Sequence, residues 1–389
     1  MVVDHGRAHE AHRAGRSVPD APARTTAPGG RRHVLPHHSG DALIVVAPSA
    51  GRAGATRPPV AAVLGALGVA LVAAVAVAVT LGAVAIPLDR VLATLAGRGE
   101  PTESAIVLSL RLPRVLGAAL VGAALAVAGT LLQGLLRNPL ADPYVLGTSA
   151  GASVAGTVGL LVAGPLGYLV VPAFAFAGAL GSTAFVWRVA RVGAHVPIVS
   201  LLLAGVVLSA VAGSVVALLL VMSDRLQLRL AAVLGWLMGG VSVVSWEQLG
   251  VAAALVAVSV TLGLATASRL DALALGEDAA ASLGVDVERL KRVILVASAL
   301  LTATAVSLAG LVGFVGLVVP HAARLVVGPR HARLLPACAL GGATFVVLAD
   351  LLARVALAPA ELPVGVISGL VGGPFFFALL WRQRDSYRL

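Results

Sequence analysis

Four charged side chains stand out in stretches that otherwise carry almost no charge. Arg111 and Arg114 lie three residues apart at the head of the run "RLPRVLGAALVGAALAVAGTLLQGLLRNPLADP", and Asp350 and Arg354 lie four apart near the end of a second apolar stretch. On a helix those spacings bring each pair onto one face, and Pro113 suits a helix's first turn. Guanidiniums supply neither a nucleophile nor a general base, but they recognise carboxylates in forked geometry. Asp350 has Arg354 as a natural neutralising partner. The chemistry on offer is docking of an acidic partner. Snorkelling toward lipid phosphates is the other use of arginines at a membrane edge.

Other chemistries find no residues to carry them. Lys291 is the sole lysine and follows Leu290, so the phosphate-binding pattern G-x-x-x-x-G-K-[ST] is absent and the chain cannot itself be a P-loop ATPase. There is no H-E-x-x-H and no G-x-S-x-G. The single cysteine, Cys338, excludes an intramolecular disulfide or a cysteine cluster and is expected to be packing. Six of the nine histidines (His5, His9, His12, His33, His37 and His38) fall in the first 59 residues with no ligand spacing behind them. No catalytic residue, no metal site, no cofactor in this chain and no nucleic-acid partner are expected.

The elements that position these charges are membrane helices. With 59% apolar residues, 12% charged and 44 glycines, the chain reads as an all-α polytopic membrane protein. Uncharged tracts occur at 60–86, 115–136, 144–163, 165–187, 196–222, 248–267, 293–323 and 362–381, with a further apolar stretch at 334–353 broken only by Asp350. The tract 293–323 sets the count, being too long for one span of about 20 residues and too short for two. A hairpin turning around Ala309-Gly310, with its second arm running to about Val327, gives ten spans and cytoplasmic termini. Beyond the first 59 residues, that topology puts 13 Lys and Arg inside and 7 outside, against 8 and 12 for nine spans. The positive-inside rule selects ten.

Residues 1–59, rich in Arg, His, Pro and Gly, read as a disordered basic tail held near anionic lipid. The span domain is 60–382, and 383–389 forms a short cytoplasmic end. Arg31-Arg32 precedes an apolar tract longer than a signal peptide's core, which reads as a retained first span.

Ten spans place Arg111, Arg114 and Arg354 at the extracytoplasmic mouth, where positive charge is scarce. On the cytoplasmic side, Asn138, Pro139, Asp142 and Pro143 form a corner in which the prolines forbid a continuous helix and the polar residues cap exposed backbone. Gly147, Gly151 and the small residues around them allow close helix packing. The longest internal cytoplasmic loop, "SRLDALALGEDAAASLGVDVERLKR", holds a short helical piece between Gly276 and Gly284 with an acidic start. It is either a capped connector or a shape for another protein to grip.

The opening run resembles the signature of the FecCD family, the permease subunits of bacterial ABC importers for iron-siderophores, haem and vitamin B12. "GWLMGGVSVVSW" (235–246), "LALGEDAAASLGV" (273–285) and the stretch 313–380, beginning "GFVGLVVPHAARLVVGP", agree with it, so the resemblance extends from about residue 60 to 382. It implies the type II importer fold, with ten-helix subunits paired around one pathway as a homodimer or a heterodimer with a close paralogue. Two cytoplasmic ATPase subunits would carry ATP and Mg, and a periplasmic or lipid-anchored binding protein would deliver the ligand.

On that resemblance Arg111, Arg114 and Arg354 match positions that receive acidic residues of the binding protein. Leu275, Gly276, Glu277, Ala280, Leu283 and Gly284 match the coupling helix that sits in a groove of the ATPase. Pro320, His321, Arg324 and His331 read as a capped helix end near the ATPase, with a metal site as the other reading. A large polar chelate needs a lining of small residues, for which Ala204, Gly205, Ser209, Gly213 and Ser214 of the fifth span are the expectation. The segments "AGTLLQGLLRNPLADP" and "AGLVGFVGLVVPHAAR" share features of an inverted repeat. The implied function is uptake of an iron(III)-siderophore, haem or cobalamin by alternating access; a stand-alone ion-coupled carrier is the alternative.

Overall fold

The computed structural model describes residues 58–383 apart from 83, 164–166, 194 and 244. All but the last two residues of the tail expected at 1–59, its six histidines included, and nearly all of the C-terminal end lie outside the described residues. Fifteen α-helices are described, with two isolated antiparallel bridges and no extended sheet among the described residues. In chain order they are α1 (Val60–Thr80), α2 (Leu88–Leu95), α3 (Pro101–Ser104), α4 (Leu112–Leu135), α5 (Thr148–Val162), α6 (Gly167–Ala190), α7 (Ile198–Met222), α8 (Asp224–Leu228), α9 (Leu230–Leu237), α10 (Trp246–Leu273), α11 (Glu277–Ser282), α12 (Val287–Ala309), α13 (Val315–Val327), α14 (His331–Val355) and α15 (Val364–Gln383).

Among the described residues, seven helical stretches are long and apolar enough to cross a membrane: 60–80, 101–135, 169–190, 198–222, 246–273, 287–309 and 331–355. Three shorter apolar helices, at 148–162, 315–327 and 364–378, occupy the remaining expected tracts and complete ten. The ambiguous tract resolves as a hairpin. α12 ends at Ala309, Gly310 caps it with φ 62°, and α13 runs to Val327. Val306 and Ala309 are buried at that turn, and the segment after α9 seals it, the N–H groups of Gly240 and Ser242 donating to the carbonyls of Ala309 and Leu308 at 2.8 Å.

The bundle is organised around α4, which packs on α10, α12, α13 and α14. Its inner face is nearly continuous small and branched residues, Val121 to Leu132, so that backbones rather than side chains set the spacing. Gly122 lies against the carbonyl of Gly342 on α14, and Gly129 against that of Gly316 on α13. The same device joins α5 to α6, where Gly151 and Gly178 each face the other's carbonyl, as the small residues after the corner predict. α1 and α7 sit at the edge of the subunit, with most of their apolar surface open.

One local feature departs from expectation. The helix does not begin at Pro113; helical backbone runs unbroken from Pro101 to Leu135, and residues 105–111 form a π-helical stretch. Proline lacks the N–H that would close an i→i−4 bond, and a wider π turn just before it lets the chain continue.

Candidate functional site

The arginines at the extracytoplasmic end meet helix α1. The last carbonyls of a helix have no partner within it and carry the negative end of its dipole. Here Arg111 donates to the carbonyls of Val79 (2.8 Å), Thr80 (3.1 Å) and Val84, and Arg354 donates to those of Ala78 (3.0 Å) and Leu81 (3.3 Å). Two guanidiniums from α14 and the helix leading into α4 therefore close the end of α1. Asp350 binds between Arg354 and Arg114: its Oδ2 accepts from Arg354 Nε at 3.0 Å and its Oδ1 from Arg114 Nε at 3.1 Å. Arg114 also donates to Glu361 at 2.9 Å.

All three arginines of the expected docking patch thus have partners within the subunit. Arg111 and Arg354 are only 8% exposed and their donors serve the α1 carbonyls and Asp350. Arg114 is different, its side chain being 23% exposed and its second partner, Glu361, 53% exposed. The pairing of Asp350 with Arg354 was legible four residues apart; the second arginine on that carboxylate was not.

The cytoplasmic corner has the capped form that its residues predict. Asn138 Oδ1 accepts from the Leu140 N–H at 2.9 Å and Asp142 Oδ1 from the Tyr144 N–H at 2.8 Å, starting a 3-10 turn over Pro143–Leu146. Burial pushes the Asp142 carboxyl up to about 6, the Tyr144 N–H opposing it, and burial raises the Tyr144 phenol as well. The corner is also tied to the second half of the chain, which sequence did not reveal. Tyr144 Oη bonds both the carbonyl and the N–H of Val312 at 3.1 Å, and Gln133 Nε2 donates to the Gly316 carbonyl at 3.0 Å. The two segments read as repeat copies thus touch one another.

The internal loop folds as the short helix α11, with positive φ at Gly276 and Gly284 on either side. The other four residues expected to meet an ATPase divide into two groups. Leu275 and Leu283 project outward, 71% and 66% exposed. Ala280 is fully buried, and Glu277 accepts from Lys291 Nζ at 2.9 Å, with Glu288 on the same ammonium at 3.0 Å. The only lysine thus clamps α11 to α12. Ala280 and Glu277 thus hold the helix in place, the Glu277 side chain remaining 40% exposed.

The expected lining also divides. On α7, Gly205 is buried against the Val145 carbonyl with no room for a side chain, and Ala204 is half-buried beside it. Ser209, Gly213 and Ser214 lie on the open face, where nothing approaches Gly213. At the other expected cluster, His331 bonds Asp271, His321 stacks edge-on with Phe375, and no group of three or more metal-ligating side chains occurs among the described residues.

The chain is similar to known membrane permeases. The model of the FecCD transport family matches residues 70–382. The hemin transport system permease protein of Yersinia pestis is 44% identical over 287 residues, spanning 72% of this chain and 84% of that protein. The cobalamin import system permease protein of Halobacterium salinarum is 44% identical over 284 residues, spanning 73% and 75%. The Fe(3+) dicitrate transport system permease protein of Escherichia coli is 43% identical over 279 residues, spanning 72% and 86%. A solved metal-chelate type ABC transporter in an inward-facing conformation superposes with a TM-score of 0.71 at 29% identity, over 83% of this chain and 99% of that one. The chain therefore belongs to the FecCD transport family, the multi-pass membrane permease subunits of ABC importers.

Proposed function

We propose that this permease carries a metal held in an organic chelate, an iron(III)-siderophore first and haem or cobalamin as the other members of the class, from a binding protein outside to the cytoplasm by alternating access. The observation that carries this is the family match over 70–382 together with relatives named for hemin, cobalamin and Fe(3+) dicitrate. Two copies of the chain would enclose the pathway, and the open face of α7 with Ser209, Gly213 and Ser214 supports placing it there. Two ATPase subunits holding ATP and Mg would grip α11 through Leu275 and Leu283. The Lys291 clamp on Glu277 would pass their motion into α12.

Docking of the binding protein would fall mainly to Arg114. Its outer partner Glu361 is exposed, and an incoming carboxylate can replace it on the same guanidinium without unburying Arg111 or Arg354.

The test is reconstitution with the ATPase and binding protein in proteoliposomes, following uptake of radiolabelled ferric siderophore, hemin and cobalamin. Uptake of one of them that requires ATP and both partners supports the reading. Uptake without the ATPase that collapses with an uncoupler assigns the chain as a stand-alone carrier.

A further inference from the structure

At the end of the bundle opposite the α1 cap, the ends of α4, α10, α13 and α14 enclose a cleft of about 430 Å³. Gln133, Arg137, Asp271, Arg324, Arg330 and His331 are among its walls. Three arginines face one carboxylate, and that carboxylate is already engaged: Asp271 Oδ1 accepts from the His331 backbone N–H at 3.0 Å and from its ring Nδ1 at 2.5 Å.

Arg324 is left over. It makes no hydrogen bond or ion pair among the described residues, and its Nη1 is shut off from solvent. A guanidinium does not lose its proton, and a shielded charge near the edge of a bilayer is costly until an anion meets it. Two more shielded atoms here lack partners, Gln133 Oε1 and His331 Nε2, on residues 3% and 6% exposed. With its Nδ1–H given to Asp271, the His331 ring in its neutral form presents Nε2 as an acceptor. The cleft therefore asks for negative charge at Arg324 and for hydroxyl hydrogens at Gln133 and His331.

We infer that this cleft binds a phosphate group carrying a neighbouring hydroxyl. Arg324 would meet the phosphate, and Arg137 and Arg330, exposed at the rim, would guide it in. Basic pockets between spans on the cytoplasmic side suit anionic headgroups, and a soluble glycerol phosphate offers the same atoms. Arg137 also reaches to within about 4.0 Å of where a side chain on Gly276 would begin, so the site adjoins the α11 loop.

The experiment uses the full chain in phosphatidylcholine nanodiscs, with unfolding temperature read against added phosphatidylglycerol in one arm and soluble glycerol 3-phosphate in the other. A rise of several degrees in the lipid arm alone identifies a headgroup, and a rise in both identifies a general phosphate site. In either case Arg324→Gln should abolish the rise. Should that variant not fold, Arg137→Gln/Arg330→Gln, changed only at exposed positions, should raise the half-saturating concentration at least tenfold. No rise in the wild type, or an equal rise in the variants, overturns the inference. So does a phosphate-insensitive protein whose Arg324→Gln form stays folded but no longer co-purifies with its ATPase, which would assign the cleft to a protein carboxylate.

Discussion

Arg114 and Arg354 hold opposite oxygens of one carboxylate, Arg114 Nε on Asp350 Oδ1 at 3.1 Å and Arg354 Nε on Oδ2 at 3.0 Å. The Asp350 side chain is 1% exposed, so its charge is what makes a buried Arg354 tolerable. Removing one partner of a buried ionic group costs about 3–5 kcal/mol, because the other charge is stranded. Asp350→Asn should lower the unfolding temperature of the purified protein strongly. A melting curve unchanged from wild type would show that Glu361 satisfies Arg114 and the carbonyls at the end of α1 satisfy Arg354 without the Asp350 charge.

Arg111→Lys keeps the charge and loses the planar fork. An ammonium is a compact donor on a flexible stem, poorly suited to three carbonyls spread over Val79, Thr80 and Val84. Hydrogen exchange should speed up at least tenfold for the last turn of α1 and the chain just after it, with the α4 and α12 cores unaffected. Uniform acceleration across the bundle would instead indicate general destabilisation.

These two residues show what a sequence can and cannot reveal here. The charge of Arg111, its place at the mouth and its spacing from Arg114 are visible in the letters. Its partners are backbone carbonyls of a helix some thirty residues earlier, and carbonyls leave no mark on residue identity. The Gly310 turn was legible because the positive-inside rule couples it to the side on which every later arginine falls. The Tyr144–Val312 bond and the Gly122–Gly342 contact were not, since they join the two halves of the chain and depend on how the halves pack. Leu275 and Ala280 look alike in an apolar loop; only the fold turns one outward and the other in.

The close approach of α4 and α14 gives a packing prediction. A β-carbon on Gly122 would run into the Gly342 carbonyl, which belongs to the facing helix backbone and cannot rotate away. Overpacking of this kind costs typically about 1–3 kcal/mol. Gly122→Ala should therefore melt several degrees lower than wild type. Gly181→Ala on α6, where nothing lies within 4 Å, serves as the control and should be neutral or better. Equal effects would assign both to helix propensity.

Asp142 gives a pH dependence. Its carboxyl sits at about 6 in the folded protein against 3.8 ordinarily, so the folded state holds a proton that the unfolded chain releases. Its contribution is greatest below about pH 4 and is lost as pH rises through about 6. Asp142→Asn keeps an oxygen for the Tyr144 N–H and removes the charge. It should flatten the stability profile between those limits and leave the protein at least as stable at pH 7.5. A less stable variant at that pH would mean that the ionised carboxylate is wanted, with a cation that the isolated subunit lacks.

The α11 loop separates grip from anchorage. Leu275 and Leu283 are exposed apolar side chains on a cytoplasmic loop, and large apolar groups left open in that way mark contact surfaces. Lys291, by contrast, is buried and pairs with this chain's own Glu277 and Glu288. Leu275→Asp/Leu283→Asp should leave the subunit's unfolding temperature near wild type while reducing co-purification of the ATPase at least tenfold, since it puts charge into the contact without disturbing the fold. Lys291→Gln should do something different. It strands two carboxylates and frees α11 from α12, so the ATPase should still bind but its hydrolysis should no longer respond to loaded binding protein. If the leucine variants kept the ATPase and Lys291→Gln lost it, the ammonium and its carboxylates would be the docking surface and the leucines would face lipid or solvent only.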